Sequence, residues 1–252
     1  MGAKTALIAY SDGDLVAALR DAVGTDADRT DAFVELIRPG LTRTLIGRET
    51  LLECTYPPEG IVYAASMPGV DIACGWQLVG EYPSELPAHL VAASAGRRLV
   101  LHAMHSVVDF LAFAVWEDCR LVRSLSLSPG SGIMENIGEP FTFEAPYWAG
   151  YRTVEPEPGW TDRPPYPLPF HPLALGEDAL QALFGFVLEG MPSPEDIDAD
   201  RIEVLGFRVL APQEEAAREA ARRAVAKKMV GTPRFYKSRP DGSRMEVDPL
   251  GR

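Results

Sequence analysis

The chain is poor in cysteine and histidine, with three and four respectively in 252 residues. Cys54, Cys74 and Cys119 stand far apart with no C-x-x-C pair, which excludes a disulfide framework and a cysteine-built zinc site and fits a reducing compartment. No apolar run is long enough to cross a bilayer: Thr5 to Tyr10 is far too short, and no signal-type segment follows Lys4. Gly2 does not open a myristoylation motif, because Ala6 stands where that motif needs Ser or Thr. No serine sits in a G-x-S-x-G elbow, and Pro129-Gly130-Ser131-Gly132 lacks the G-K-[ST] ending of a phosphate loop, so it reads as a turn. Cations are outnumbered, with 24 Lys and Arg against 36 Asp and Glu for a net charge of −12. Such a surface repels phosphate backbones and anionic membranes, so the expected partners are a protein or a small ligand.

What remains is ordinary globular composition, 46% hydrophobic and 24% charged, and the expectation is a cytoplasmic protein with no cofactor. The charge is uneven. Residues 213–252 carry a net of +4 against −12 for the whole chain, so residues 1–212 carry −16. The pattern predicts one α+β domain over residues 1–211, with a largely antiparallel sheet flanked by helices. A C-terminal helical extension follows over residues 212–252, its end expected to fray.

Thr5 to Tyr10 reads as a strand, followed by a turn and a helix beginning near Leu15, with Ser11 or Asp12 as its cap. A second helix runs from about Thr30 to Ile37. Short β-type runs follow at 51–56, 61–66, 70–77, 99–104, 107–116 and 121–127, interrupted by a helix over 83–95. A two-residue loop at Asp118-Cys119 would set Glu117 opposite Arg120, Trp116 opposite Leu121 and Asp109 opposite Ser128. The strand before that loop is apolar on both faces, so it is expected inside the sheet with both faces covered. Seven prolines between Tyr151 and Pro172 predict an ordered wrap over the surface. Helices at 177–188 and 213–230 and a strand at 202–210 complete the pattern.

Several constellations have the residue types that chemistry needs. Asp12 and Asp14 sit at the end of the first strand, where two carboxylates with a third from Asp71 or Asp109 could hold Mg²⁺; turn and cap preference explains the same residues. His102 and His105 are the only histidine cluster. On a strand they point to opposite faces, which leaves His105 and Asp109 as a catalytic candidate or a structural pair. Ser124, Ser126 and Ser128 line one face of their strand. Glu135, Glu139 and Glu144 with Tyr147, Trp148 and Trp160 form an acidic, aromatic stretch that could bind a basic peptide or small cation, with core packing as the alternative for its aromatics. The basic stretch from Arg222 to Arg239 is diluted by Glu214, Glu215 and Glu219, and an i,i+4 pair of Glu219 with Arg223 explains part of it.

Leu101-His-Ala-Met-His-Ser-Val-Val-Asp109, the run from Ala114 to Ser128, Glu135-Asn-Ile-Gly-Glu-Pro140 and Tyr166-Pro-Leu-Pro-Phe-His-Pro172 resemble an uncharacterised domain family of high-GC Gram-positive bacteria. The resemblance covers roughly residues 2–210 and implies no activity. Trp116 to Ser124 and Gly138 to Glu144 are also similar in outline to bacterial immunity-type interaction domains, with Cys119 in place of the usual Gly. Together these favour a non-enzymatic binding or regulatory protein that uses the acidic and aromatic face. The alternative is a metal-assisted hydrolase or transferase using Asp12, Asp14, His105 and Asp109, which requires those four groups to meet in space.

Overall fold

The computed structural model describes residues 2–78, 80–154, 166–190, 192–229, 235–238 and 244–247. They fall into two compact units, Met1–Val209 and Leu210–Arg252. The first is built on a nine-stranded sheet in the order β2-β9-β3-β4-β1-β5-β6-β7-β8. These are β1 (Lys4–Ser11), β2 (Thr42–Thr50), β3 (Ile61–Met67), β4 (Val70–Cys74), β5 (Arg98–His105), β6 (Phe110–Glu117), β7 (Arg120–Ser128), β8 (Gly132–Ile137) and β9 (Glu203–Leu210). From β9 through to β8 each neighbouring pair is antiparallel, so the α+β class with a large antiparallel sheet holds.

The central strands are buried on both faces because they are apolar on both sides. One face of β1 carries Leu7 and Ala9, and the other Ile8 and Tyr10, all buried. The first face packs under α1 (Leu15–Arg20), α4 (Ala145–Trp148) and α5 (Pro172–Phe184). The second lies under α2 (Ala27–Ile37) and α3 (Ala88–Ala92), through Phe33, Val34, Ile37 and Leu90. β6 is buried from Leu111 to Trp116, as an interior strand must be. Gly176 lets α5 approach the sheet: a Cβ there would lie 2.8 Å from Met104 Sδ and 3.2 Å from Leu111.

Local chemistry explains where expectation and structure part. Asp14, not Ser11 or Asp12, caps α1 by accepting from Ala17 N at 2.8 Å. The run at 51–56 is no strand; Leu52–Cys54 is a helical turn, and the strand lies upstream in β2, which is exposed almost throughout. β2 is an edge strand whose Arg43, Arg48 and Glu49 discourage further pairing. The helix expected over 83–95 is split into a turn at Pro83–Glu85 and α3, because Pro87 cannot donate within a continuous helix. β8 was not anticipated.

The Asp118-Cys119 loop has positive φ at both residues, 47° and 63°, the primed turn that matches sheet twist. Glu117 faces Arg120 and Trp116 faces Leu121, as expected. The register then shifts between Val115 and Trp116, so Val115 meets Arg123 and Asp109 does not meet Ser128. Of the proline-rich wrap, 155–165 lies outside the described residues; its end is core, with Leu168 and Phe170 buried.

In the second unit, α6 (Pro212–Met229) carries the expected Glu219–Arg223 pair at 3.2 Å. Where fraying was expected after Gly231, the described residues of β10 (Phe235–Ser238) and β11 (Arg244–Val247) pair antiparallel.

Candidate functional site

The helices α2 and α3 do not cover the whole second face of the sheet. A helical turn at Trp76–Leu78 rests on β1, and the turn at Pro83–Glu85 rests on β6 and β7. Between them, at the end of the sheet where β1 begins and β5 ends, opens a cleft of about 490 Å³. Its floor is low because the side chains there are small, Ala103 from β5 and Ser128 from β7. Its walls are large and apolar: Tyr56, Trp76, Phe110 and Met134. Tyr56 and Trp76 are more than a third exposed, and Val108 at the mouth is 58% exposed. Large apolar groups gathered around one concavity are what a small-molecule site presents, and the volume lies in the usual range of roughly 300–1,000 Å³.

His105 supplies the polar point of this cleft. Its ring meets Tyr56 edge to face at 5.5 Å, and its Nδ1 accepts from Val107 N at 3.3 Å. That places the ring proton on Nε2. Burial, then the Lys4 charge, push the imidazole below its ordinary value, so the ring is neutral at pH 7. Lys4 faces His105 across the β1–β5 ladder and holds its ammonium 5.7 Å from the Tyr56 ring centroid.

The roof is held by Glu135. This carboxylate is buried and accepts from Ser84 N at 3.0 Å and from the hydroxyls of Ser84 and Ser124. Ser126 donates to Glu81 O at 2.6 Å. The serine row of β7 therefore ties down the segment that roofs the cleft.

Glu144 lies on the opposite face of the sheet. It is fully buried and forms a two-pronged pair with the equally buried Arg123, at 2.8 and 2.6 Å. It also accepts from Phe141 N at 2.8 Å and Trp148 Nε1 at 3.1 Å. Arg123 donates further to Asn136, Ile137 O and Gly138 O. A Cβ at Gly138 would sit 2.0 Å from Val122 O, so only glycine lets the strand close there. Tyr147 is buried, with its hydroxyl on Asp178 at 2.7 Å, and both it and Trp148 pack edge to face on Phe170. Glu139 alone of the acids is exposed, and Trp160 lies outside the described residues. Glu135 and Glu144 thus anchor two sides of one sheet rather than a shared surface.

The metal candidates do not meet. Lys4 pairs with His105 and Ser11 with Arg98, so Asp12 and His105 mark opposite ends of β1, about 23 Å apart at a rise of about 3.3 Å per residue. Asp12 and Asp71 do converge, but on a cation the chain provides: Arg97, at 2.8 and 2.7 Å. Asp14 is occupied as a cap. Asp109 sits in the β5–β6 turn at φ 47° and faces His171 at 3.7 Å instead of His105. Among the described residues no group of three His, Cys, Asp or Glu is placed to hold a metal ion. The four-residue metal site expected from sequence is therefore corrected: strand length keeps its halves apart.

His102, as expected, points away from His105. It is buried under α5, where Nε2 donates to Gly176 O at 2.9 Å and Nδ1 accepts from the Thr5 hydroxyl at 2.8 Å. A larger groove, about 870 Å³, runs between α1 and residues 194–202. Two of its polar side chains are engaged: Arg20 donates to Glu195 O, and Asp196 accepts from Ser193 N and Gln181.

Residues 5–207 match the model of a family of unknown function, DUF6928. The chain belongs to that family. No curated protein and no solved structure matches it. The DUF6928 match runs from Thr5 in β1 to Phe207 in β9 and so takes in the whole cleft, the Arg123–Glu144 pair and His102. No helix among the described residues is long and apolar enough to cross a membrane.

Proposed function

We propose that this chain is a non-enzymatic, cytoplasmic binding or regulatory protein, and that its ligand is a small apolar molecule held in the cleft between Trp76 and Met134. The observation that carries this reading is the cleft itself: aromatic walls around a floor of small residues, beyond the part of that face that α2 and α3 cover. The likeness of Trp116–Ser124 and Gly138–Glu144 to immunity-type interaction domains also favours a binder over a catalyst. The acidic and aromatic segment from Glu135 to Trp148 acts in this reading as support, since its acids fix the roof on one face and the buried pair on the other.

A ligand present at about a hundred times its dissociation constant stabilises the native state by about 2.7 kcal/mol, a shift of several degrees in Tm for a domain of this size. N-phenyl-1-naphthylamine, a neutral dye of two linked aromatic groups, is expected to raise the Tm of the wild-type chain in this way. Ala103→Phe, which fills the floor, and Trp76→Ala, which removes a wall on the surface, are expected to lose most of that shift. Equal shifts in wild type and both variants, each with native near-ultraviolet circular dichroism, would place the dye elsewhere and end this reading.

A further inference from the structure

The polar groups of the cleft are not evenly spread. At the β1–β5 wall stands one donor, the neutral His105 ring with its proton on Nε2. A second, the Lys4 ammonium, lies beyond the lining residues, 5.7 Å from the ring centroid of Tyr56, which does line the cleft. Among the described residues nothing accepts from His105 Nε2, and Lys4 has no carboxylate partner within salt-bridge distance. The acid on the cleft, Glu81, belongs to the segment tied over β7, two strands or about 10 Å from β5. The Thr5 hydroxyl is already spent on His102. Between these ends the large side chains are aromatic or thioether, Trp76, Phe110, Met104 and Met134, over the small Ala103 and Ser128 and beside the turn residues Gly130 and Ser131, which suits a flat ring.

Resting on the cleft as the binding site, we infer that its ligand is an aromatic acid, with the anionic group against Lys4 and His105 and the ring between Trp76 and Phe110. A cation from Lys4 and a fixed N–H from His105 form charge-assisted hydrogen bonds with one anion. A ligand without the anion would leave both donors unanswered in a partly dry site. This is a local feature set against the acidity of the chain as a whole, whose net charge is −12, and so selects a small anion that fits over a large polyanion that does not.

Two dyes separate the terms. 1-Anilinonaphthalene-8-sulfonate carries the same rings as N-phenyl-1-naphthylamine plus one anionic group. Fluorescence titration is expected to give the sulfonate a dissociation constant at least about tenfold below that of the neutral dye, the effect of one charge-assisted hydrogen bond. Lys4→Met is expected to bring the two constants together while leaving the neutral dye unaffected, and His105→Phe, which keeps a ring at that position, to do so in part. If the neutral dye binds as well as the sulfonate, or if Lys4→Met leaves the preference intact, the aromatic-acid assignment is overturned and the cleft stands. If neither dye binds, or Ala103→Phe binds both unchanged, the cleft reading falls with it.

Discussion

Replacing Arg123 with methionine is expected to lower the free energy of unfolding by about 3–5 kcal/mol, the cost of leaving one partner of a buried ion pair alone. Arg123 and Glu144 are both without exposed side-chain surface. The guanidinium donates to Glu144 through Nε and Nη2, and its Nη1 serves Asn136 and the carbonyls of Ile137 and Gly138. Methionine matches the stem of the side chain but strands the Glu144 carboxylate in the interior and takes a donor from two part-buried carbonyls. For a domain whose total stability is in the usual range of about 5–15 kcal/mol, that is a large share. Urea unfolding of Arg123→Met, Glu144→Leu and the double variant would measure it. The double variant is expected to recover part of the loss, because removing both charges also removes their desolvation. A loss below about 1 kcal/mol for Arg123→Met would show that the pair is dispensable.

Acidification from pH 6.5 to 4 is expected to remove about 3 kcal/mol of stability through His102 alone. Complete burial, opposed by the hydrogen bond to Gly176 O, pushes this imidazole down to about 4 from its ordinary 6.5. Between those values the unfolded chain binds a proton that the folded chain refuses. Stability is therefore fully present above pH 6.5 and is lost as the pH falls toward 4. Other groups titrate in the same range, so the informative quantity is the gap between wild type and His102→Leu. The variant starts lower at pH 7, because the Thr5 hydroxyl and the Gly176 carbonyl lose their partner. The gap is expected to narrow by about 3 kcal/mol by pH 4. A gap that stays constant from pH 7 to 4 would mean the folded state accepts the proton at little cost.

Much of the frame was legible from residues alone because it rests on local rules. The apolar run Thr5–Tyr10 and the doubly apolar strand before Asp118-Cys119 take interior places in the sheet. Strand alternation places His102 and His105 on opposite faces. What failed was set by geometry at a distance. The one-residue shift beside Trp116 moves Asp109 off Ser128, and no property of the loop residues announces it. Glu135 and Glu144 look like surface acids by composition, and their burial depends on partners in other strands and turns. One sign of the buried pair was present: Arg123 has the same alternation as Leu125 and Leu127, opposite to the serines, and so shares their buried face. The cleft was not legible, because its walls come from segments as far apart as Tyr56 and Met134. Only the antiparallel order β1-β5-β6-β7-β8 brings their ends together.

The binding role of the cleft is tested most directly by mapping amide chemical shifts while N-phenyl-1-naphthylamine is added to isotopically labelled protein. The expected result is a set of perturbations confined to Tyr56, Trp76, Ala103 to Phe110 and Ser128 to Met134, with the groove at Leu19 to Gly24 and Pro194 to Ile202 unmoved. Perturbations centred on that groove, or scattered over the chain with the cleft silent, would contradict it.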